Sequence, residues 1–172
     1  ILSLFLFLPT YLLTIIHLKM ERIYLINILS FFSLGFMTLF FGWLSDHVGR
    51  KKLIITGAAL IILFSYPLFY GLSKYGEPFI GIFIIVFSIG GGMTNGSYGI
   101  VIAESFAPNL RYSGMGLSYS LGIAIFGGMA PLLFTYLLKI LPMAEAPAFY
   151  LVFCAVLTLI SILSWRNTHD AS

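Results

Sequence analysis

The residues best placed to do chemistry in this chain are a few polar side chains set inside long apolar runs. Asn95 brings an amide into the charge-free run 78–103, Asn27 does the same in 23–45, and Tyr11 and Tyr119 place a hydroxyl-bearing ring in 1–18 and 112–138. At 100° per residue Asn27, Ser30 and Thr38 project within about 80° of each other, and Ser88, Asn95 and Gly99 share a face. A buried amide needs several hydrogen bonds, so Asn95 either ties helices together or meets a solute or water in a cavity. Tyr11 and Tyr119 either line a binding site or belong with the tyrosines that mark a membrane interface. This is the chemistry of recognition, not of bond cleavage. The chain has no G-x-S-x-G, no H-E-x-x-H and no G-x-x-x-x-G-K. His47 adjoins Asp46, but neighbours at i, i+1 on a helix do not face one another. The lone Cys154 permits no disulfide within the chain and no metal-type spacing. An enzyme, a metal site and a bound cofactor are not expected.

The charged residues form a second constellation. Asp46, Arg50, Lys51 and Lys52 stand together, and Glu104 and Arg111 flank a later polar segment, in a chain where only 9% of residues are charged. Their position is set by what lies between them. Six stretches lack Asp, Glu, Lys and Arg: 1–18, 23–45, 53–73, 78–103, 112–138 and 146–165. Each has the roughly 18–25 residues that a helix needs to cross a hydrocarbon core of about 30 Å. With 60% hydrophobic residues and a mean hydropathy of +1.04, the chain exceeds an ordinary soluble domain. Lipid satisfies no backbone polar group, and apolar runs of this length fit helices, not the alternating strands of a barrel.

The fold class is therefore all-α integral membrane, a bundle of six transmembrane helices over about 1–18, 23–43, 53–72, 79–103, 113–138 and 148–165. Pro9 is expected to kink the first. Short connections make successive helices antiparallel neighbours. Gly116, Ser120, Ala124 and Gly128 recur every four residues in the fifth span, and Gly92 and Gly96 do so in the fourth; both spacings predict close helix packing. The triple glycine 90–92 predicts a bend or a tight crossing.

Lys and Arg counts give five on one side (Arg50, Lys51, Lys52, Arg111, Arg166) and four on the other (Lys19, Arg22, Lys74, Lys139). The compact triplet 50–52 assigns its side to the cytoplasm, which places both chain ends there in a cell membrane. The net charge of +3 includes no basic block of the kind that binds nucleic acid. Residue 1 is an isoleucine inside an apolar run, with no charged leader region before it. The expectation is a fragment whose N-terminal part is missing.

With six spans in place, Gly42, Leu44, Asp46, Gly49, Arg50, Lys51 and Lys52 resemble the loop G-x-L-x-D-x-x-G-R-[RK]-[RK] of the major facilitator superfamily. In that family the loop joins the second and third helices of each six-helix half, as it does here. Glu104, Pro108 and Arg111-Tyr112-Ser113-Gly114 resemble the loop between the tenth and eleventh helices of its metabolite:proton symporters, the proline/betaine and dicarboxylate carriers. Leu8-Pro9-Thr10-Tyr11-Leu12 is similar to their seventh helix.

The resemblance implies the C-terminal half of a twelve-helix major facilitator fold, with an N-terminal six-helix half as its missing partner. It implies symport of a small polar metabolite with protons, by rocking of two halves about a central site. The alternative is a non-transporting remnant or accessory membrane fragment. Tyr11, Asn27, Asn95 and Tyr119 are then the candidate substrate-lining residues, and Gly42, Asp46, Gly49, Arg50, Lys51, Glu104 and Arg111 the cytoplasmic gating loop. Arg50 is expected to pair with Glu104, and Arg111 with Asp46 or nearby carbonyls. The competing reading is that Asp46 caps a helix while the basic triplet sets topology and meets anionic lipid. No Asp, Glu, Lys or Arg lies mid-span, and His17 sits at a span's outer end, so a proton carrier is expected in the missing part. That same lack of an intramembrane cation favours an osmolyte, held by aromatic side chains, over a small carboxylate.

Overall fold

A computed structural model of the 172-residue chain describes residues 1–107, 109–140 and 143–164. The described residues are helical or form short connections, with no strand among them. In chain order they are α1 (Leu2–Thr14), α2 (Met20–Val48), α3 (Arg50–Tyr75), a 3-10 turn (Glu77–Phe79), α4 (Ile80–Glu104), α5 (Arg111–Gly122), a π-helical segment (Ile123–Gly128), α6 (Ala130–Ile140) and α7 (Ala146–Ser164). Five stretches are long and apolar enough to cross a membrane: Met20–Val48, Arg50–Tyr75, Glu77–Glu104, Arg111–Ile140 and Ala146–Ser164.

Three boundaries differ from the sequence expectation. The first expected span, 1–18, is only the 13-residue helix α1, about 20 Å at 1.5 Å per residue. It stops because His17 takes the left-handed φ of +58° and Lys19 is extended, reversing the chain. Pro9 stays inside this helix.

The expected polar loop 42–52 shrinks to one residue, since α2 runs to Val48 and α3 begins at Arg50. Gly49 makes the reversal at φ +99°, its N–H donating to the Ser45 carbonyl at 3.1 Å. No atom lies within 4 Å of where its Cβ would be, so conformation alone requires glycine there.

The third difference is in the fifth span, expected to be continuous over 113–138. It is split between α5 and α6 by the π-helical segment. Pro131 explains the break: it lacks an N–H, and its ring would collide with the carbonyl of Gly127 in a regular helix. Of the sixth expected span, 148–165, Trp165 lies outside the described residues, as do Pro108 of the second motif and Arg166 of the charge count.

The centre of the bundle is α4, held between α2 and α3. Glycines let these backbones meet. A Cβ on Gly96 would lie 2.6 Å from the Gly42 nitrogen, one on Gly92 2.7 Å from the backbone of Met37, and one on Gly57 of α3 2.9 Å from the Gly90 carbonyl. The other four-residue repeat behaves differently. Gly116, Ser120, Ala124 and Gly128 are exposed, and a Cβ on Gly116 would meet nothing within 4 Å. Away from the glycine crossings, aromatic residues fill the core, with Phe69 of α3 edge-on to Phe83 of α4 at 5.1 Å between ring centroids. Much of the exposed surface is apolar, including Phe32, Phe36, Leu39, Phe40 and Trp43 along α2, a surface suited to lipid or protein and not to water.

Candidate functional site

Two groups of the expected residues come together, one at the end of the bundle where α2 meets α3, the other near mid-span. At the bundle end, Arg50 is the first residue of α3, one turn beyond Asp46 of α2 and beside Glu104, the last residue of α4. Its guanidinium donates to Glu104 Oε1 through Nη1 and to Asp46 Oδ1 through Nη2 at 3.4 Å. One cation thus ties the ends of three helices. The Arg50 and Glu104 side chains are about one-third exposed, at 29% and 34%, so solvent screens this pair less than the Asp46 arm, where the carboxylate is 58% exposed.

Other members of the expected group hold different positions. Asp46 does not cap α3, whose first turn receives no side-chain cap. The expected pairing of Arg111 with Asp46 does not form: Arg111 opens α5, exposed, and makes no ion pair among the described residues. Arg50 occupies Asp46 instead. Lys51 follows on α3, half-buried. Gly42 lies one turn before Asp46 and faces Gly96 at the α2–α4 crossing.

Near mid-span, Asn95 and Tyr98 of α4 and Tyr119 of α5 line two adjoining cavities of about 390 Å³ and 750 Å³. Asn95 lies nine residues before Glu104, about 14 Å into the bundle. The rings of Tyr98 and Tyr119 are nearly parallel, 4° apart in plane with centroids at 5.9 Å. Gly122 and Ile123, together with Leu151 and Cys154 of α7, also border both spaces. Thr94, Ser118 and Thr158 add hydroxyls to the smaller cavity, and Thr38 and Tyr150 to the larger. Among the described residues no Asp, Glu, Lys, Arg or His lines either one.

Among the described residues Asn95 has no hydrogen-bond partner, although Thr94 beside it returns its hydroxyl to the Gly90 and Gly91 carbonyls. An unpartnered amide facing a neutral, aromatic-walled space is suited to a polar solute with little net charge.

Tyr11 and Asn27 are elsewhere. Tyr11 is 1% exposed, donates its hydroxyl to the Ala144 carbonyl at 2.9 Å and stands edge-on to Phe69, so it borders neither cavity. Asn27 also lies outside both, on α2, with a buried Oδ1 that has no partner among the described residues. Tyr98 was not among the expected site residues. Its signal was its spacing, since three residues from Asn95 on a helix is the same face. Among the described residues no cluster of three His, Cys, Asp or Glu is placed to hold a metal ion.

Comparison with known proteins places this geometry in a family. The chain is 32% identical over 129 residues to the ectoine/proline transporter ProP of Corynebacterium glutamicum, covering 72% of this chain and 25% of that protein. It is 30% identical over 132 residues to a putative proline/betaine transporter of Staphylococcus haemolyticus, covering 73% and 27%. To the inner membrane metabolite transport protein YhjE of Escherichia coli it is 32% identical over 142 residues, covering 80% and 31%. The chain thus spans about a quarter to a third of the length of these relatives. No solved structure gives a significant match. The family description "Major Facilitator Superfamily" matches residues 2–171, and with five helices long and apolar enough to cross a bilayer the chain belongs to that superfamily as a multi-pass membrane protein.

Proposed function

We infer that this chain is the C-terminal half of a secondary transporter for a small, zwitterionic osmolyte of the proline or betaine kind, working with an N-terminal six-helix half. The observation that carries the reading is the unpartnered amide of Asn95 beside the Tyr98–Tyr119 pair, in cavities with no charged side chain among the described residues. A quaternary or secondary ammonium is attracted to tyrosine faces by their quadrupole, and the amide of Asn95 can donate to the carboxylate of the same molecule. A dicarboxylate would carry its net negative charge into a space that no described cationic side chain lines. The relatives named as proline/betaine and ectoine/proline transporters favour the same substrates. Protons are the proposed coupling ion, carried by a group other than the described residues that line the cavities, none of which is a carboxylate or histidine.

Asp46, Arg50 and Glu104 act in this reading as a latch that favours one of the two accessible states, with Gly42, Gly49 and Lys51 shaping the turn around it and Arg111 at the neighbouring helix start. Both chain ends and this latch face the cytoplasm in a cell membrane.

The test is uptake of labelled betaine, proline and a dicarboxylate by cells expressing the chain with and without an N-terminal half from a relative. Betaine or proline uptake that is weakened in Tyr98→Leu supports the reading. Uptake of the dicarboxylate alone overturns the substrate, and no uptake in either arrangement favours a non-transporting accessory or remnant fragment. Impermeant labelling that reaches cysteines placed at Lys51 and Arg111 from opposite sides of the bilayer would overturn the topology.

A further inference from the structure

The Ile123–Gly128 segment winds as a π-helix in the wall of the larger cavity, with Ile123, Phe126 and Gly127 all bordering that space. A π turn amounts to one residue inserted into an α-helix, so it rotates what lies on one side relative to the other by about 100°. It also withdraws carbonyls from the regular ladder, and lipid gives them no replacement partner. Here the Phe126 carbonyl accepts a hydrogen bond from the hydroxyl of Tyr150 on α7, at 2.7 Å. The ring of the same tyrosine stands edge-on to Phe134 of α6, with centroids 5.3 Å apart. Tyr150 therefore grips the wide turn and the helix that follows it.

The two flanks of the turn are held unequally. On α6, Ala130 and Phe134 are fully buried, whereas α5 has no buried residue. A change of winding in 123–128 would leave α6 in place and turn α5, which carries Tyr119 four residues before the segment. Pro131 keeps the alternative from being a smooth helix, since an α-wound form would still be kinked there.

We propose that Tyr150 is a positioning residue that pins the π turn, and that loss of this pin lets 123–128 rewind toward α, swinging Tyr119 away from Tyr98 and reshaping the cavities. The fifth span then supplies the movable wall of the site. The inference rests on the proposed binding role of Tyr119 only for its functional meaning; its test reads geometry, so the two fail separately.

The test uses the full chain in lipid nanodiscs, with Cys154→Ser and spin labels on cysteines replacing Leu117 and Leu132. These positions are exposed and lie on either side of the turn, 15 residues apart, about 22 Å along the axis. Tyr150→Phe keeps the ring and removes the donor. The expected result is a second distance population, displaced by several ångströms from the wild-type one. A folded Tyr150→Phe protein with the wild-type distance, even one that melts earlier, overturns the proposal, because the hydroxyl would then be a structural bond only. Should Tyr150→Phe not fold, hydrogen exchange on the wild-type chain decides: amides of 123–128 that exchange faster than those of α5 and α6 support the movable turn, and equal protection overturns it. A failure of betaine to bind or be carried would refute the proposed substrate and leave this result standing.

Discussion

Two glycines face each other where α2 crosses α4, and replacing them with alanine is expected to have opposite results. A Cβ on Gly42 would lie 3.6 Å from the Gly96 carbonyl oxygen, an ordinary contact. A Cβ on Gly96 would lie 2.6 Å from the Gly42 nitrogen, 2.8 Å from the Thr38 carbonyl oxygen and 3.0 Å from the Gly42 Cα, all of them backbone atoms that cannot rotate away. Alanine inside a helix is favoured over glycine by about 0.5–1 kcal/mol. Gly42→Ala keeps that gain and should raise stability by up to about 1 kcal/mol. Gly96→Ala has the same gain, but forcing the crossing apart costs about 1–3 kcal/mol, leaving a net loss of about 0.5–2 kcal/mol. Gly35→Ala, where nothing lies within 4 Å, is the control that reports the helix preference alone. Thermal unfolding of the purified chain in one detergent, followed by size-exclusion recovery, gives the order Gly35→Ala and Gly42→Ala above wild type, with Gly96→Ala below it. If Gly96→Ala melts with Gly42→Ala, the two helices do not meet at these glycines and the position assigned to Asn95 beside them is wrong.

Arg50→Gln should leave Asp46 and Glu104 as unpaired neighbouring anions, and a double-mutant cycle with Glu104→Gln should return a coupling of about 1 kcal/mol, above the lower values of exposed pairs; a coupling of zero would show that the two side chains do not interact. Gly49→Ala should destabilise by about 1–3 kcal/mol through its positive φ alone, and an unchanged melting temperature would mean the α2–α3 turn is built differently. Tyr98→Leu should weaken betaine binding by roughly 2- to 30-fold, the loss of about 0.5–2 kcal/mol of cation–π attraction. Tyr11→Phe should lower stability by about 1 kcal/mol through its lost bond to Ala144 and leave that affinity unchanged. Equal effects of these two tyrosines on binding, measured by calorimetry, would refute the separation of their roles.

The helical character of the chain was legible because lipid leaves so few options: a charge-free run of this length must satisfy its own backbone. Where a run stops was less legible. Nothing in Ile15-Ile16-His17-Leu18 forbids a helix, and the left-handed turn at His17 reflects packing that an apolar run does not encode. Pro131 was a readable signal that counting charges passed over, because the 112–138 run contains no charge to divide it. Small residues spaced by four gave one seam between α2 and α4 and one face left exposed in this chain. Gly92 and Gly96 are pressed against α2, while Gly116, Ser120, Ala124 and Gly128 face outward. Spacing fixes which residues share a face and says nothing about where that face points. The same limit applies to charges. Arg111 was the candidate for Asp46 and Arg50 the candidate for Glu104, and only the one-residue turn at Gly49 brings Arg50 within reach of Asp46 as well.

The charges at the bundle end sit where helix dipoles oppose them. Asp46 lies in the last turn of α2 and Glu104 is the last residue of α4, both anions at negative ends, while Arg50 is a cation at the positive start of α3. Each placement is unfavourable by about 0.3–1 kcal/mol, so the ion pairs offset a penalty before they stabilise anything. A cluster arranged for stability alone would reverse the signs. In the proposed latch, that opposition is what would let the cluster part and re-form. Motion of the proposed latch would have a direct route inward, because Glu104, Tyr98, Gly96 and Asn95 share one uninterrupted stretch of α4 spanning about 14 Å, clamped to α2 at Gly96. On the opposite wall Tyr119 is separated from the anchored α6 by the π-helical segment. On the proposed function the cavities would have one stiff side coupled to the latch and one compliant side, and a substitution at Arg50 should displace Asn95 before it displaces Tyr119.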